Sequence, residues 1–97
     1  MKFTLVSKDY KTEQYECIIN ENIKAIVRML YHTTRKWWSC GIYFINNKTH
    51  HSTPYIDGED NIETRKEARK LAIKLMKIAK PDGYKKLGSF YKKEMEE

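Results

Sequence analysis

Residues 37–45 read WWSCGIYFI, and this stretch decides the fold. β-Branched and aromatic residues dominate it, which is typical of a β-strand, and a strand needs neighbours to pair with. Residues 23–31 read IKAIVRMLY and fit a strand whose one face is apolar, although Ile23, Ile26 and Val27 also fit one side of a helix. We favour the strand, because residues 37–45 then gain an antiparallel partner.

The register of this pair follows from the apolar faces, since directly opposed residues share a face of the sheet. We assign Trp38 and the alternate residues after it to the core face. The loop is then residues 33–36. The cross-strand pairs on the core face are Tyr31–Trp38, Met29–Cys40 and Val27–Ile42. The pairs on the opposite face are His32–Trp37, Arg28–Gly41 and Ile26–Tyr43.

The remaining segments complete the predicted architecture. Residues 2–7 and 15–20 read as two further strands, so that residues 1–45 form the sheet, and the polar residues 46–60 form a loop. A helix is predicted within residues 61–80, with its regular turns starting near Arg65. Its apolar positions recur at helical spacing, at Ala68, Leu71, Ala72, Leu75, Ile78 and Ala79.

The helix start and end have their own signals. Thr64 and Glu67 fit a capping box, and Asp60 with Glu63 is an alternative start one turn earlier. Pro81 ends the helix, and residues 81–97 form an extension with a short second helix. The expected fold is therefore α+β: two layers, with a meander of about four antiparallel strands packed by one long C-terminal helix.

Composition limits the class of protein. The chain has 97 residues, the size of one domain, with 19 basic and 13 acidic residues and a formal charge of +6. No apolar stretch approaches the length of a membrane span or of a secretory signal. We expect a single cytoplasmic domain whose Cys17 and Cys40 stay reduced, on strands too far apart for a disulfide. The small size favours a binding protein over an enzyme.

The two tryptophans give the first candidate binding surface. Trp37 and Trp38 are adjacent, so in a strand they point to opposite faces, and only Trp38 enters the core. Trp37 then shares its face with Tyr43, Arg28 and Lys24, around a shallow shelf at Ser39 and Gly41. Aromatic rings beside cations suit single-stranded nucleic acid. The alternative is that the C-terminal segment covers this face, through Tyr84, Phe90 or Tyr91.

Basic residues give two further candidate surfaces. Lys66, Lys70 and Lys77 project within about 40° of one another on the helix, flanked by Arg69, Lys74 and Lys80. Such a row matches phosphates, although a solvated helix face has the same composition. Arg35 and Lys36 lie in the hairpin loop beside Trp37, where a basic tip suits a nucleic-acid groove.

The histidines and acidic residues of the predicted loop are the candidates for a metal site. His50 and His51 lie in the predicted loop with Asp57 and Asp60 nearby, but adjacent loop histidines seldom chelate one ion. No nucleophile elbow, phosphate-binding glycine loop or zinc-protease motif occurs in the sequence. We therefore predict no catalytic residues, no metal and no cofactor.

The order of the predicted strands and helix resembles that of a known family of DNA-binding domains. Strands followed by a helix that opens Thr64-x-x-Glu67-Ala68 look like the strand-strand-strand-helix DNA-binding domains of the AP2 and integrase arm-binding type, over about residues 23–80. The resemblance implies a sheet that enters the major groove, but the chain lacks a clear match to that family's base-reading pattern.

The sequence thus predicts a small, non-enzymatic, basic protein that binds DNA or RNA. Phosphate contacts and aromatic stacking would supply the affinity. The alternative is a phage or mobile-element protein that inhibits a host or defence protein through its sheet face, and a homodimer through that face is a third possibility.

Overall fold

The computed structural model describes residues 2–19, 21–52, 55 and 57–78. Five strands form one antiparallel sheet in sequence order, and a helix packs on one face of it. This confirms the α+β class, with one strand more than expected. The elements are β1 (Thr4–Lys8), β2 (Thr12–Ile18), β3 (Ile23–His32), β4 (Trp37–Asn46), β5 (Asp57–Ile62) and α1 (Arg65–Ile78).

The β3–β4 pair has the predicted register at every position that the sequence specified. The ambiguous third segment is therefore a strand. Residues 33–36 form the connecting turn, in which the Lys36 N–H donates to the His32 carbonyl at 2.7 Å. Both strands extend one residue beyond the predicted ends, because His32–Trp37 and Ile23–Asn46 still pair.

Two predictions were wrong at strand β5. Residues 57–60 were predicted as part of the loop 46–60, and residues 61 and 62 as part of the helix segment 61–80, but all six form a strand. Residues 57–62 read DGEDNI, which lacks the apolar alternation of a strand, and all but Ile62 are exposed. They are extended because their backbone pairs with β4, with Gly58 opposite Gly41. The alternative helix start at Asp60 is thereby excluded, and α1 begins at Arg65.

The main core lies between the sheet and α1. Ala68, Ala72 and Leu75 of the helix are buried against β3 and β4, and Leu71 packs beside them as predicted. Thr64 caps the helix, since its Oγ1 accepts the Glu67 N–H at 3.1 Å. The predicted helix end and the C-terminal extension, residues 79–97, lie outside the described residues.

A buried carboxylate joins the helix to strand β2. The strand begins at Thr12 rather than Tyr15, so Glu13 falls on the core face opposite Met29 and is fully buried. Arg65 Nε and Arg69 Nε each donate to its carboxylate at 3.2 Å, and the Tyr15 hydroxyl donates at 2.9 Å. The hydrogen bonds from Arg69 lower the pKa of Glu13 to about 2.

Both cysteines are buried free thiols, on β2 and β4 as expected. Burial raises the pKa of Cys40 to about 12, and the nearby Glu59 carboxylate acts in the same direction. A thiol held in its protonated form is a poor nucleophile, so Cys40 has the properties of a core residue.

Candidate nucleic-acid interface

The sheet face turned away from α1, which we name the outer face, carries the predicted contact surface. Alternation along β4 places Trp38 in the core, where it is 6% exposed, and leaves Trp37 half-buried on the outer face. Its described members on the two central strands are Lys24, Ile26, Arg28, Leu30, His32, Trp37, Ser39, Gly41, Tyr43 and Ile45.

Trp37 is the centre of a compact cluster at the hairpin end of this face. The His32 ring, its cross-strand partner, lies 4.9 Å from the Trp37 ring between centroids. The Arg35 guanidinium stands over the same indole, 5.8 Å from its centroid. His32 Nε2 and Ser39 Oγ are 2.9 Å apart, which fixes the histidine ring. The arrangement offers a held aromatic surface with a cation beside it.

The predicted shelf around Gly41 is only partly open, because Tyr55 covers it. A Cβ at Gly41 would lie 2.5 Å from the Tyr55 ring, so the ring rests directly on the glycine. Tyr55 also meets Tyr43 edge to face, with 5.3 Å between centroids. Sequence analysis missed Tyr55, since a lone tyrosine in a polar loop has no periodicity to reveal its contact with β4.

The two ends of the outer face differ in charge. Lys24 pairs with Glu16 of β2 at 3.2 Å, so its charge is locally offset. Along β3, it lies eight residues from His32, or about 26 Å at strand spacing. Arg28 lies between these ends, near Tyr43. Burial raises the pKa of the Tyr43 phenol, and the positive charge of Arg28 acts in the opposite direction. The cationic end is therefore the hairpin end, with Arg35 and the exposed Lys36, and Arg28 lies midway along the face.

The helix presents a separate cationic surface on the opposite side of the sheet. Lys66, Lys70, Lys74 and Lys77 are exposed along α1, and Ile73 among them is 45% exposed. Arg69 does not join this row, because its guanidinium bonds the buried Glu13 carboxylate. The structure therefore separates the predicted site residues into two surfaces that one short strand cannot contact together.

A cavity of about 400 Å³ opens where β4 meets β5. It is lined by residues of β4 and β5 and by Tyr55, namely Ser39, Cys40, Gly41, Tyr55, Asp57, Gly58, Glu59 and Asp60. Among the residues that the structure describes, no three His, Cys, Asp or Glu side chains converge as metal ligands do. The aspartates near His50 and His51 in the sequence thus line this cavity as strand β5 residues.

Comparisons with known proteins identify no relative. No family model matches the chain, and no curated protein or solved structure matches it either. The resemblance to the AP2 and integrase arm-binding domains is therefore not supported by a family match.

The length and hydropathy of the helix bear on membrane insertion. Over the described residues, no helix has the length and apolar character needed to cross a bilayer.

Proposed function

We propose that the chain is a small, non-enzymatic nucleic-acid-binding protein that holds a single strand on the hairpin end of its outer face. The observation that carries the proposal is the cluster around Trp37. Its indole is half-buried, lies against His32 and has the Arg35 guanidinium 5.8 Å from its centroid.

The chemistry of this cluster favours a single strand over a duplex. Bases stack on an aromatic ring only when their faces are exposed, as they are in single strands, and each such interaction contributes about 1–3 kcal/mol. The His32 ring orients the indole before binding. Less conformational freedom is then given up when a base docks on it.

Phosphate contacts supply the remaining affinity. Arg35 lies against the aromatic cluster, Lys36 is exposed at the turn, and Arg28 lies further along the same face, opposite Gly41. These cations release counterions when they neutralise phosphates, in a chain of formal charge +6. Lys24 contributes less, since Glu16 already pairs with it. DNA and RNA strands both satisfy this chemistry.

The test is a titration of labelled single-stranded oligonucleotides, followed by fluorescence anisotropy at several salt concentrations. We expect Trp37→Leu to weaken binding about tenfold, because a base can no longer stack there, and Trp37→Phe to retain most of the affinity. Ile18→Ala is the control, because Ile18 is 71% exposed and pairs with Lys24, at the end of the sheet opposite the hairpin.

Two results of this titration would exclude nucleic acid as the ligand of the Trp37 cluster. Absence of binding at low salt, or equal affinity of Trp37→Leu and the unmodified protein, would contradict the proposal.

A protein partner, such as a host or defence protein that the chain inhibits, is the second candidate. Trp37, Tyr43 and Arg28 on one face have the composition of interface hot spots, which favours this candidate. A partner that survives nuclease treatment in a pull-down supports it. Light scattering distinguishes both from a homodimer through the outer face.

A further inference from the structure

The cavity between β4 and β5 has a floor that contains no side chains. Gly41 and Gly58 are direct cross-strand partners. Gly58 has a φ of 158°, and a Cβ there would lie 2.4 Å from the Cys40 carbonyl oxygen. Only glycine fits this position, so the backbone of the two strands forms the floor and leaves about 400 Å³ above it.

The walls of the cavity differ in chemistry. The ring of Tyr55 stands on Gly41 on one side. On the other side, Ser39 presents a hydroxyl whose position is fixed by His32 at 2.9 Å. Asp60 lies two residues beyond Gly58 in β5 and lines the same cavity. The cavity thus combines a flat aromatic wall with a hydrogen-bond acceptor.

The cavity is continuous with the surface assigned to the bound strand. Ser39 lines it and is two residues from Trp37 along β4, a separation of about 7 Å. A strand stacked on Trp37 therefore passes the mouth of the cavity. Its phosphates are repelled by the carboxylates of Asp57, Glu59 and Asp60, and attracted towards Arg28 and Arg35, so that the group that enters is a base.

We propose that this cavity binds a guanine base of the strand held at Trp37, an inference that rests on the proposed function. The base stacks on Tyr55, and its N1–H and N2–H₂ groups donate to the Asp60 carboxylate. An ionised carboxylate only accepts hydrogen bonds. Guanine alone presents two adjacent donor groups on its Watson–Crick edge, whereas adenine and cytosine present one amino group, and the single N3–H of thymine and uracil is flanked by carbonyl oxygens that a carboxylate repels.

The experiment compares three labelled strands in the same anisotropy assay: oligothymidylate, the same strand with one central guanine, and that strand with inosine in place of the guanine. Inosine lacks only the exocyclic amine. We expect the guanine strand to bind about tenfold more tightly than oligothymidylate, and inosine to lose most of that gain.

Variants of the chain distinguish specific recognition of guanine from a general effect of charge on affinity. We expect Asp60→Asn to abolish the preference for guanine while leaving or raising the affinity for oligothymidylate, because a repulsive charge is removed. Glu63→Gln removes one charge from an exposed site outside the cavity, and should keep the preference. Tyr55→Phe should keep the preference, and Tyr55→Leu should reduce it.

The outcomes distinguish the two proposals. If oligothymidylate does not bind, the proposed function fails. If all three strands bind equally, or Asp60→Asn keeps the preference for guanine, the guanine cavity fails and the proposed function stands. If an arginine-rich peptide binds with a dependence on Asp60 while guanine confers no gain, the cavity recognises a guanidinium group of a protein, and the guanine assignment is overturned.

Discussion

Glu13 is the residue whose environment differs most from that of a surface carboxylate. Its side chain is 1% exposed, and Arg65, Arg69 and Lys8 all lie within ion-pair distance of it. Arg65 also stacks on Trp38, with 5.1 Å between the guanidinium carbon and the ring centroid. One carboxylate therefore ties β2 to the first turns of α1, beside the largest aromatic side chain of the core.

We expect Glu13→Gln to lower the free energy of unfolding by about 1–3 kcal/mol, because the amide leaves charged donors without an ionised acceptor. Urea denaturation followed by circular dichroism measures the change. Glu16→Gln is the control, since it breaks the partly exposed pair with Lys24 and should cost less than about 1 kcal/mol. Equal effects of the two substitutions would contradict this role of Glu13.

The lowered pKa of Glu13 predicts that the free energy of unfolding depends on pH in the acid range. The pKa of Glu13 is about 2 in the folded protein, lowered from an ordinary value of 4.5. Its contribution is therefore complete above pH 4.5, and disappears as the pH falls towards 2. We expect the free energy of unfolding to fall over this range, and less steeply in Glu13→Gln. Parallel curves for the two proteins would show that other carboxylates are responsible.

At the scale of elements, β5 shows how backbone pairing overrides local sequence. Its six residues include two aspartates, a glutamate, an asparagine and a glycine, all of which are uncommon in strands. Asn61 has a φ of 59°, and the pairing with β4 shifts between Trp38 and Cys40, so the strand contains an irregularity that accommodates one extra residue. Ile62, its last residue, then reaches the core.

We expect Gly58→Ala to destabilise the protein by about 1–3 kcal/mol, because the added methyl group meets the Cys40 carbonyl and the backbone conformation is strained for alanine. Glu59→Ala, at the exposed neighbouring position of β5, is the matched control and should change stability little. Urea midpoints compare the two. An unchanged midpoint for Gly58→Ala would mean that β5 does not pair closely with β4 at this position.

At the scale of the whole molecule, the sheet separates two cationic surfaces. The outer face carries Arg28 at its middle and Arg35 at its hairpin end, and the exposed side of α1 carries Lys66, Lys70, Lys74 and Lys77. A row of lysines at helical spacing is also the ordinary composition of a solvated helix. Total charge therefore does not say which side binds, but the Trp37 cluster assigns the proposed site to the outer face.

The salt dependence of binding tests this assignment. For single strands, each phosphate that a cation neutralises adds about 0.7 to the slope of log affinity against log salt. We expect the double variant Arg28→Ala and Arg35→Ala to reduce the slope by about 1.4, since two cations no longer neutralise phosphates. The matched double variant Lys70→Ala and Lys74→Ala removes the same charge and should leave the slope unchanged. A reduced slope in the lysine variant would assign binding to the helix instead.

Patterns of short period were sufficient to predict much of this molecule. The register of β3 with β4 follows from alternation, because a shift of one residue would turn the apolar face of a strand towards water. The same alternation separates Trp37 from Trp38. The apolar face of α1 and its cap at Thr64 follow from helical spacing. These features depend on residues close together in the chain, or on two strands joined by a short turn.

Only the tertiary structure decided the contacts that join distant segments. Glu13 meets Arg69 across 56 positions of sequence, and Tyr55 covers Gly41 from a polar loop. Strand β5 exists because β4 offers a backbone edge, not because its side chains favour extension. The sequence by itself therefore determined which faces are apolar, whereas three-dimensional packing decided which polar groups meet, since those contacts have no periodicity that a sequence can display.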